Sequence, residues 1–164
     1  MPSYQTVRHV PHSAEKMFAL VADVESYPHF VPLCQSLKII SREQIGSLDM
    51  IIANMTVAYK FFHETFTSQV RLNPDDFEII AEHIDGPFTE FINRWRFHPA
   101  GDGGTEVEFY ISYSFRSRAL RLLMGSVFDK AVRKYTAAFE QRADEIYGTN
   151  GGGAKEVIPQ DRAP

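Results

Sequence analysis

The chain changes its hydrophobic period three times. Tyr4, Thr6 and Arg8 alternate with Gln5, Val7 and His9, which predicts a short strand over Tyr4–Val10 that Pro11 breaks. Ser13 is a good N-cap with Glu15 in the first turn, and Met17, Phe18, Leu20 and Val21 follow at helical spacing, so Ser13–Val24 is expected to be a short helix. Two prolines keep Tyr27–Pro32 from continuing as a regular helix; a turn or one short helical piece is expected. From Leu33 the period becomes two. Leu37 and Ile39 alternate with Lys38, and Leu48, Met50 and Ile52 with Asp49. Phe62, Phe66 and Val70 take one face of the next segment and His63, Thr65, Thr67 and Gln69 the other. Asn73–Asp76 is a turn, Phe77–Ile84 resumes the strand pattern, and Asp85-Gly86-Pro87 ends it. Phe91, Asn93, Trp95 and Phe97 then lie opposite Glu90, Arg94 and Arg96. After the hairpin-type turn Gly101–Gly104 comes the clearest strand, with Val107, Phe109, Ile111, Tyr113 and Phe115 against Glu106, Glu108, Ser112 and Ser114.

After Ser117 the period becomes helical and stays so to Gly148, a plausible C-cap. Leu120, Leu123, Val127, Ala131, Tyr135, Ala138 and Ile146 form a stripe that Phe128, Val132, Phe139 and Ala143 widen, which predicts one long helix over Ser117–Tyr147. The order is that of an α+β fold: a curved antiparallel sheet of about seven strands with one face to cover and one long C-terminal helix to cover it. A single helix leaves part of such a concave face open. Large side chains fill the gap, or a cavity remains. The domain is expected to span residues 1–148, and the Gly-rich, then charged tail 149–164 to be disordered.

Composition narrows the classes. The 164 residues suit one domain, and 13 Phe and 7 Tyr against one Trp mean a bulky core or an apolar cavity. A net charge of -4 argues against general nucleic-acid binding, so DNA is not an expected partner. Cys34 is the only cysteine, which excludes an internal disulfide and a zinc site built from cysteines. Met1–Ser13 lacks the charged head and apolar run of a signal peptide, and no apolar stretch approaches the ~20 residues a bilayer demands. A cytoplasmic protein is expected, with any membrane contact peripheral at the inner face.

The stretches Phe18-x-Leu-Val-x-Asp-Val-x-x-Tyr-Pro-x-Phe-Val-Pro, Gly86-Pro-Phe through Trp95-x-Phe97, Val107–Phe115 and Ala138-Phe-Glu-x-Arg-Ala-x-x-Ile-Tyr-Gly148 together resemble the START, or Bet v 1-like, helix-grip superfamily. More narrowly they resemble its polyketide cyclase/dehydrase branch, which holds the coenzyme Q-binding proteins and the bacterial ribosome-association toxin homologues. The resemblance implies a sheet wrapped on the C-terminal helix around an elongated apolar tunnel. It also implies a non-catalytic lipid chaperone for ubiquinone that supports respiration or quinone biosynthesis. The alternatives it carries are a ribosome-associated regulator that blocks joining at the large subunit and, more remotely, a cyclase or dehydratase.

The residues that would form a ligand site are Phe62, Phe66, Phe91, Asn93, Trp95, Phe109, Tyr113, Leu123 and Val127, with Met50, Met55 and Met124 as adaptable wall. The aromatic rows suit a plain core as well as a tunnel. Each CH₂ of a buried isoprenoid chain would contribute ~0.8 kcal/mol. Asn93 could donate to a quinone carbonyl or serve structurally. No catalytic residue, catalytic cofactor or metal site is expected: no inward His–carboxylate pair appears, and His9 and His12 flank Pro11 without further ligands. Gly101–Gly104 leads into a strand, unlike a phosphate loop. Arg116, Arg118 and Arg121 flank Leu120 and Leu122 where the long helix begins, so a membrane surface, ribosomal RNA or an ordinary solvated helix face all remain open for that segment.

Overall fold

Seven antiparallel strands carry the chain in the computed structural model, which describes residues 2–148. The tail 149–164 lies outside the described residues. Strand β1 (Ser3–Val10) leads into helix α1 (Ala14–Ala22), capped by the Ser13 hydroxyl, which accepts from the Lys16 amide. A 3-10 helix follows over Val24–His29. Then come β2 (Cys34–Ile45), β3 (Leu48–Tyr59), β4 (Phe62–Asn73), β5 (Glu78–Asp85), β6 (Phe88–Pro99) and β7 (Thr105–Phe115), and helices α2 (Arg118–Arg133) and α3 (Tyr135–Tyr147). The sheet order is β1-β7-β6-β5-β4-β3-β2, so β2 through β7 form a meander and β1 joins at the far edge beside β7. This is the expected α+β helix-grip architecture.

The alternation in β4, β6 and β7 places the faces as the sequence implies: Phe66, Val70, Trp95, Phe97, Val107, Phe109 and Ile111 are buried on the side that faces the helices. Strand β3 is a correction. Ile51, Ala53 and Val57 point inward, and Leu48, Met50 and Ile52 take the outer face. Both of its faces are apolar, so bulk alone did not decide the register.

The long C-terminal helix is a second correction. Lys134 sits at φ −98°, ψ −4° and its amide bonds back to Ala131 at 3.0 Å, a tightened turn that separates α2 from α3. No proline or glycine marks the break. It divides the covering work: α2 packs on β7, and α3 packs on α1. Six residues of the expected stripe (Phe128, Ala131, Val132, Tyr135, Phe139 and Ala143) are buried; Met124 joins them in place of Leu123, and Ile146 is exposed. These buried residues face the sheet, whereas Leu122 and Leu123 are exposed.

Contacts with β1, α1 and the turn between them fix α3 in place. Arg8 of β1 forms an ion pair with Glu140. The buried His12 ring meets Asp144 at 2.8 Å, and the Tyr147 hydroxyl donates to the Lys16 carbonyl at 3.0 Å.

Candidate functional site

The inward rows of β3 to β6 form one wall of a cavity, and the 3-10 helix, α2 and α3 form the other. The sheet supplies Ala53 and Met55, Phe66, Ser68 and Val70, Ile79 and Ala81, and Phe91, Asn93 and Trp95. The lid supplies Val24, Tyr27 and Val31, then Phe128, Tyr135 and Phe139, with Leu37 at the edge. Aspartate, glutamate, histidine, lysine and arginine are all missing from these walls. Two larger clefts, about 350 and 250 Å³, lie open on the surface beside charged groups such as Arg42, Asp49, Glu82 and Glu90. Their space is solvent, and they enclose nothing.

The volume of this cavity is about 70 Å³. A void of about 150 Å³ holds a benzene ring, so this one holds less than a ring. The space is narrower than the elongated tunnel that the family resemblance implies. Aromatic interlocking is the reason. Phe139 sits edge-on to Trp95 at 4.8 Å, Phe30 at 5.0 Å and Tyr27 at 5.2 Å. At the other end Phe88 packs against Phe66 at 5.3 Å and Phe128 at 5.5 Å, and Phe128 against Tyr113 at 4.7 Å. A guest as large as a benzene ring must displace side chains. The half-buried Phe91 and Met55 are the walls with room to move.

The polar groups of the cavity are few and mostly engaged. Asn93 accepts from the Trp95 indole N–H at 3.0 Å and donates to the Tyr110 carbonyl at 3.1 Å, so its amide is a structural brace that fixes the indole. The Tyr27 hydroxyl donates to the Val21 carbonyl at 2.5 Å. Burial raises the phenols of Tyr27 and Tyr135 far above their ordinary value, and both stay protonated. Cys34 is 7% exposed beside this lid, and burial pushes its thiol up to about 12.

Of the nine residues the sequence assigned to a ligand site, Phe66, Phe91, Asn93 and Trp95 line the cavity. Phe109 and Tyr113 are buried on the same face but stand behind it: Phe109 packs on Trp95 at 4.7 Å, and Tyr113 on Phe128. Phe62 is half-buried at the strand end. Val127 is half-buried and Leu123 is 64% exposed, because the face of α2 that meets the sheet runs through Met124 and Phe128. Met124 is buried away from the cavity, and Met50 is on the outer face. Tyr27, Val31 and Tyr135 were not assigned. Tyr27 and Val31 come from the Pro-containing segment, where neither period speaks, and Tyr135 belongs to the helical stripe, which marks a covering face without marking a ligand wall. Arg116, Arg118, Arg121 and Leu122 are exposed and Leu120 is half-buried. Among the described residues none of these arginines is ion-paired, and no cluster of three metal-ligating side chains occurs. His9 meets Asp102 at 3.0 Å on the surface, far in role from the buried His12.

Residues 10–140 match the family described as polyketide cyclase / dehydrase and lipid transport. The chain is similar to the ribosome association toxin RatA of Escherichia coli strain K12, with 32% identity over 147 residues covering 90% of each chain. It is also similar to the coenzyme Q-binding protein COQ10 homolog B, mitochondrial, of Xenopus laevis, with 31% identity over 140 residues, 83% of this chain and 55% of that one. Among solved structures, a START superfamily protein from Mycobacterium smegmatis superposes with a TM-score of 0.72 at 20% identity, covering 88% of this chain and 98% of that chain, a likeness of fold. Among the described residues no helix is long and apolar enough to cross a membrane.

Proposed function

The chain belongs to the polyketide cyclase / dehydrase and lipid transport family, and from that premise we propose that its cavity takes up a hydrophobic isoprenoid quinone, ubiquinone, without transforming it. The observation that carries this reading is a lined interior without an acid or base. Cyclisation or dehydration needs a positioned proton donor or acceptor. The walls offer only two phenols held protonated by burial, a serine, and an amide already spent on Trp95 and Tyr110. Apolar walls reward a prenyl chain at ~0.8 kcal/mol per buried CH₂. Similarity to a protein named for coenzyme Q binding supports the same choice.

The small volume sets the energetics. The guest must open the aromatic lid, so its affinity is reduced by the cost of populating the open state. Trp95 is the only tryptophan and lines the cavity, which makes its fluorescence a direct reporter. Titrating the chain with a short-tailed ubiquinone should quench Trp95 saturably, and lipid extraction of the natively purified protein should yield quinone by mass spectrometry. Linear, unsaturable quenching together with an empty extract overturns the reading.

A second reading rests on the relatives named for ribosome association, 32% identical over 90% of the chain. Sedimentation of cell extract through a sucrose gradient separates the two. Comigration with the large subunit, resistant to quinone depletion, favours regulation of the ribosome.

A further inference from the structure

The strand pairings bring three connections to one end of the sheet. Tyr59 pairs with Phe62 across the β3–β4 hairpin, whose tip is Lys60-Phe61. Strand β5 ends at Asp85 and β6 begins at Phe88, beside the end of β7, where Phe88 pairs with Phe115. From there the chain enters α2 at Arg118. Of the nine large hydrophobic side chains exposed among the described residues, five are at this end: Tyr59, Phe61, Ile84, Leu122 and Leu123. Phe61 is 103% exposed and Leu122 78%, values that no packing within the chain explains.

Cations accompany them. Lys60, Arg116, Arg118 and Arg121 are exposed, and none is ion-paired among the described residues. No acidic residue occurs from Arg116 to Phe128. Glu64, Asp85 and Glu90 lie on the adjoining strand ends, unpaired with these cations. Arginines at the start of a helix oppose its macrodipole, so local helix electrostatics do not account for them. Lys60 also adopts φ +53°, a region that costs an L-residue roughly 1–2 kcal/mol and that glycine would occupy freely. The tip keeps a lysine and a phenylalanine where a hairpin would ordinarily use glycine or asparagine.

We propose that this end of the protein docks on an anionic lipid bilayer, with Phe61, Leu122 and Leu123 entering the interface and Lys60, Arg116, Arg118 and Arg121 facing the headgroups. An apolar tip ringed by unpaired cations matches such a surface on both counts. Phe66 and Phe128, which line the cavity, meet Phe88 directly beneath this end, so docking sets the bilayer against the cavity's aromatic end wall. The inference does not depend on what the cavity holds.

Cosedimentation of the full chain with phosphatidylcholine vesicles, with and without phosphatidylglycerol, tests it. Binding is expected to need phosphatidylglycerol and to weaken with salt. Phe61→Ser should lower partitioning about tenfold or more. Arg118→Glu and Arg121→Glu should each lower it about fivefold or more. All three should melt like the parent chain, since the side chains are exposed. Equal binding to both vesicle types, or unchanged binding of Phe61→Ser, overturns the proposal. So does a pattern in which charge reversal abolishes binding and Phe61→Ser has no effect, which marks a polyanion such as RNA as the partner. Trp95 quenching by quinone in vesicle-free solution is read separately, so loss of either result leaves the other standing.

Discussion

Replacing Phe139 with alanine tests whether the cavity is a closed but expandable site. The ring is 2% exposed and meets Trp95, Phe30 and Tyr27 edge-on at 4.8, 5.0 and 5.2 Å, so its removal takes away both apolar burial and three ring pairs. Phe→Ala at such a position costs about 3–5 kcal/mol. Phe139→Leu retains most of the burial and loses mainly the ring pairs, at about 0.5–1.5 kcal/mol each. For a chain of this size roughly 2–4 °C is lost per kcal/mol, so the alanine variant should melt roughly 6–20 °C lower. The opened space adds to a void already about 70 Å³ in volume. A short-tailed quinone that enters it should return stability as RT ln(1 + [L]/Kd), about 2.7 kcal/mol at a hundredfold excess over Kd. Its Kd should fall below that of the parent chain, because the lid no longer has to be displaced. Urea unfolding with and without ligand gives the stabilities, and Trp95 fluorescence gives Kd. A loss under 1 kcal/mol would show that the lid is not packed, and an unchanged Kd would place the guest elsewhere.

Other expectations follow from single groups. Asn93→Ala strands the indole N–H of Trp95, 3% exposed, and should cost about 1–3 kcal/mol in urea unfolding with a shifted Trp95 emission maximum. Gly86→Ala should be among the most damaging small substitutions: φ is +138° and a Cβ there would come within 2.4 Å of the Phe66 Cβ, so a loss of about 3 kcal/mol or more is expected. Lys60→Gly relieves φ +53° and should be neutral to about 1 kcal/mol more stable while lowering vesicle binding. Cys34, Tyr27 and Tyr135 all have folded values raised by burial, so their contribution is complete below the ordinary thiol and phenol range and is lost as pH rises through the raised values. Stability should therefore fall above about pH 9, and Cys34 should resist alkylation at pH 8 until urea unfolds the chain.

Strands β4, β6 and β7 were legible because each alternates large apolar residues with charged or hydroxylated ones. Strand β3 was not, since Ile51 and Ile52 make either face look like core. In α2 the adjacent Leu122-Leu123-Met124 run hides the true start of the stripe, and the choice of Leu123 falls one residue early. The break at Lys134 leaves no mark in composition; it reflects how two packing partners divide one helix. Most of the cavity lining comes from the sheet and was partly readable through Phe66, Phe91, Asn93 and Trp95. The lid residues Tyr27, Val31 and Tyr135 meet only through tertiary geometry, and a periodicity confined to one segment does not show that.

Strand β1 has one sheet neighbour, β7, and Ser3 pairs with Ser112. The first strand to emerge during synthesis therefore waits for the last, and the ion pair between Arg8 and Glu140 waits longer still. Pairings so distant in sequence slow a folding reaction. A nascent chain arrested before α3 leaves the tunnel exit would carry an unpaired edge and an uncovered greasy trough, the form of this protein most in need of a chaperone's protection.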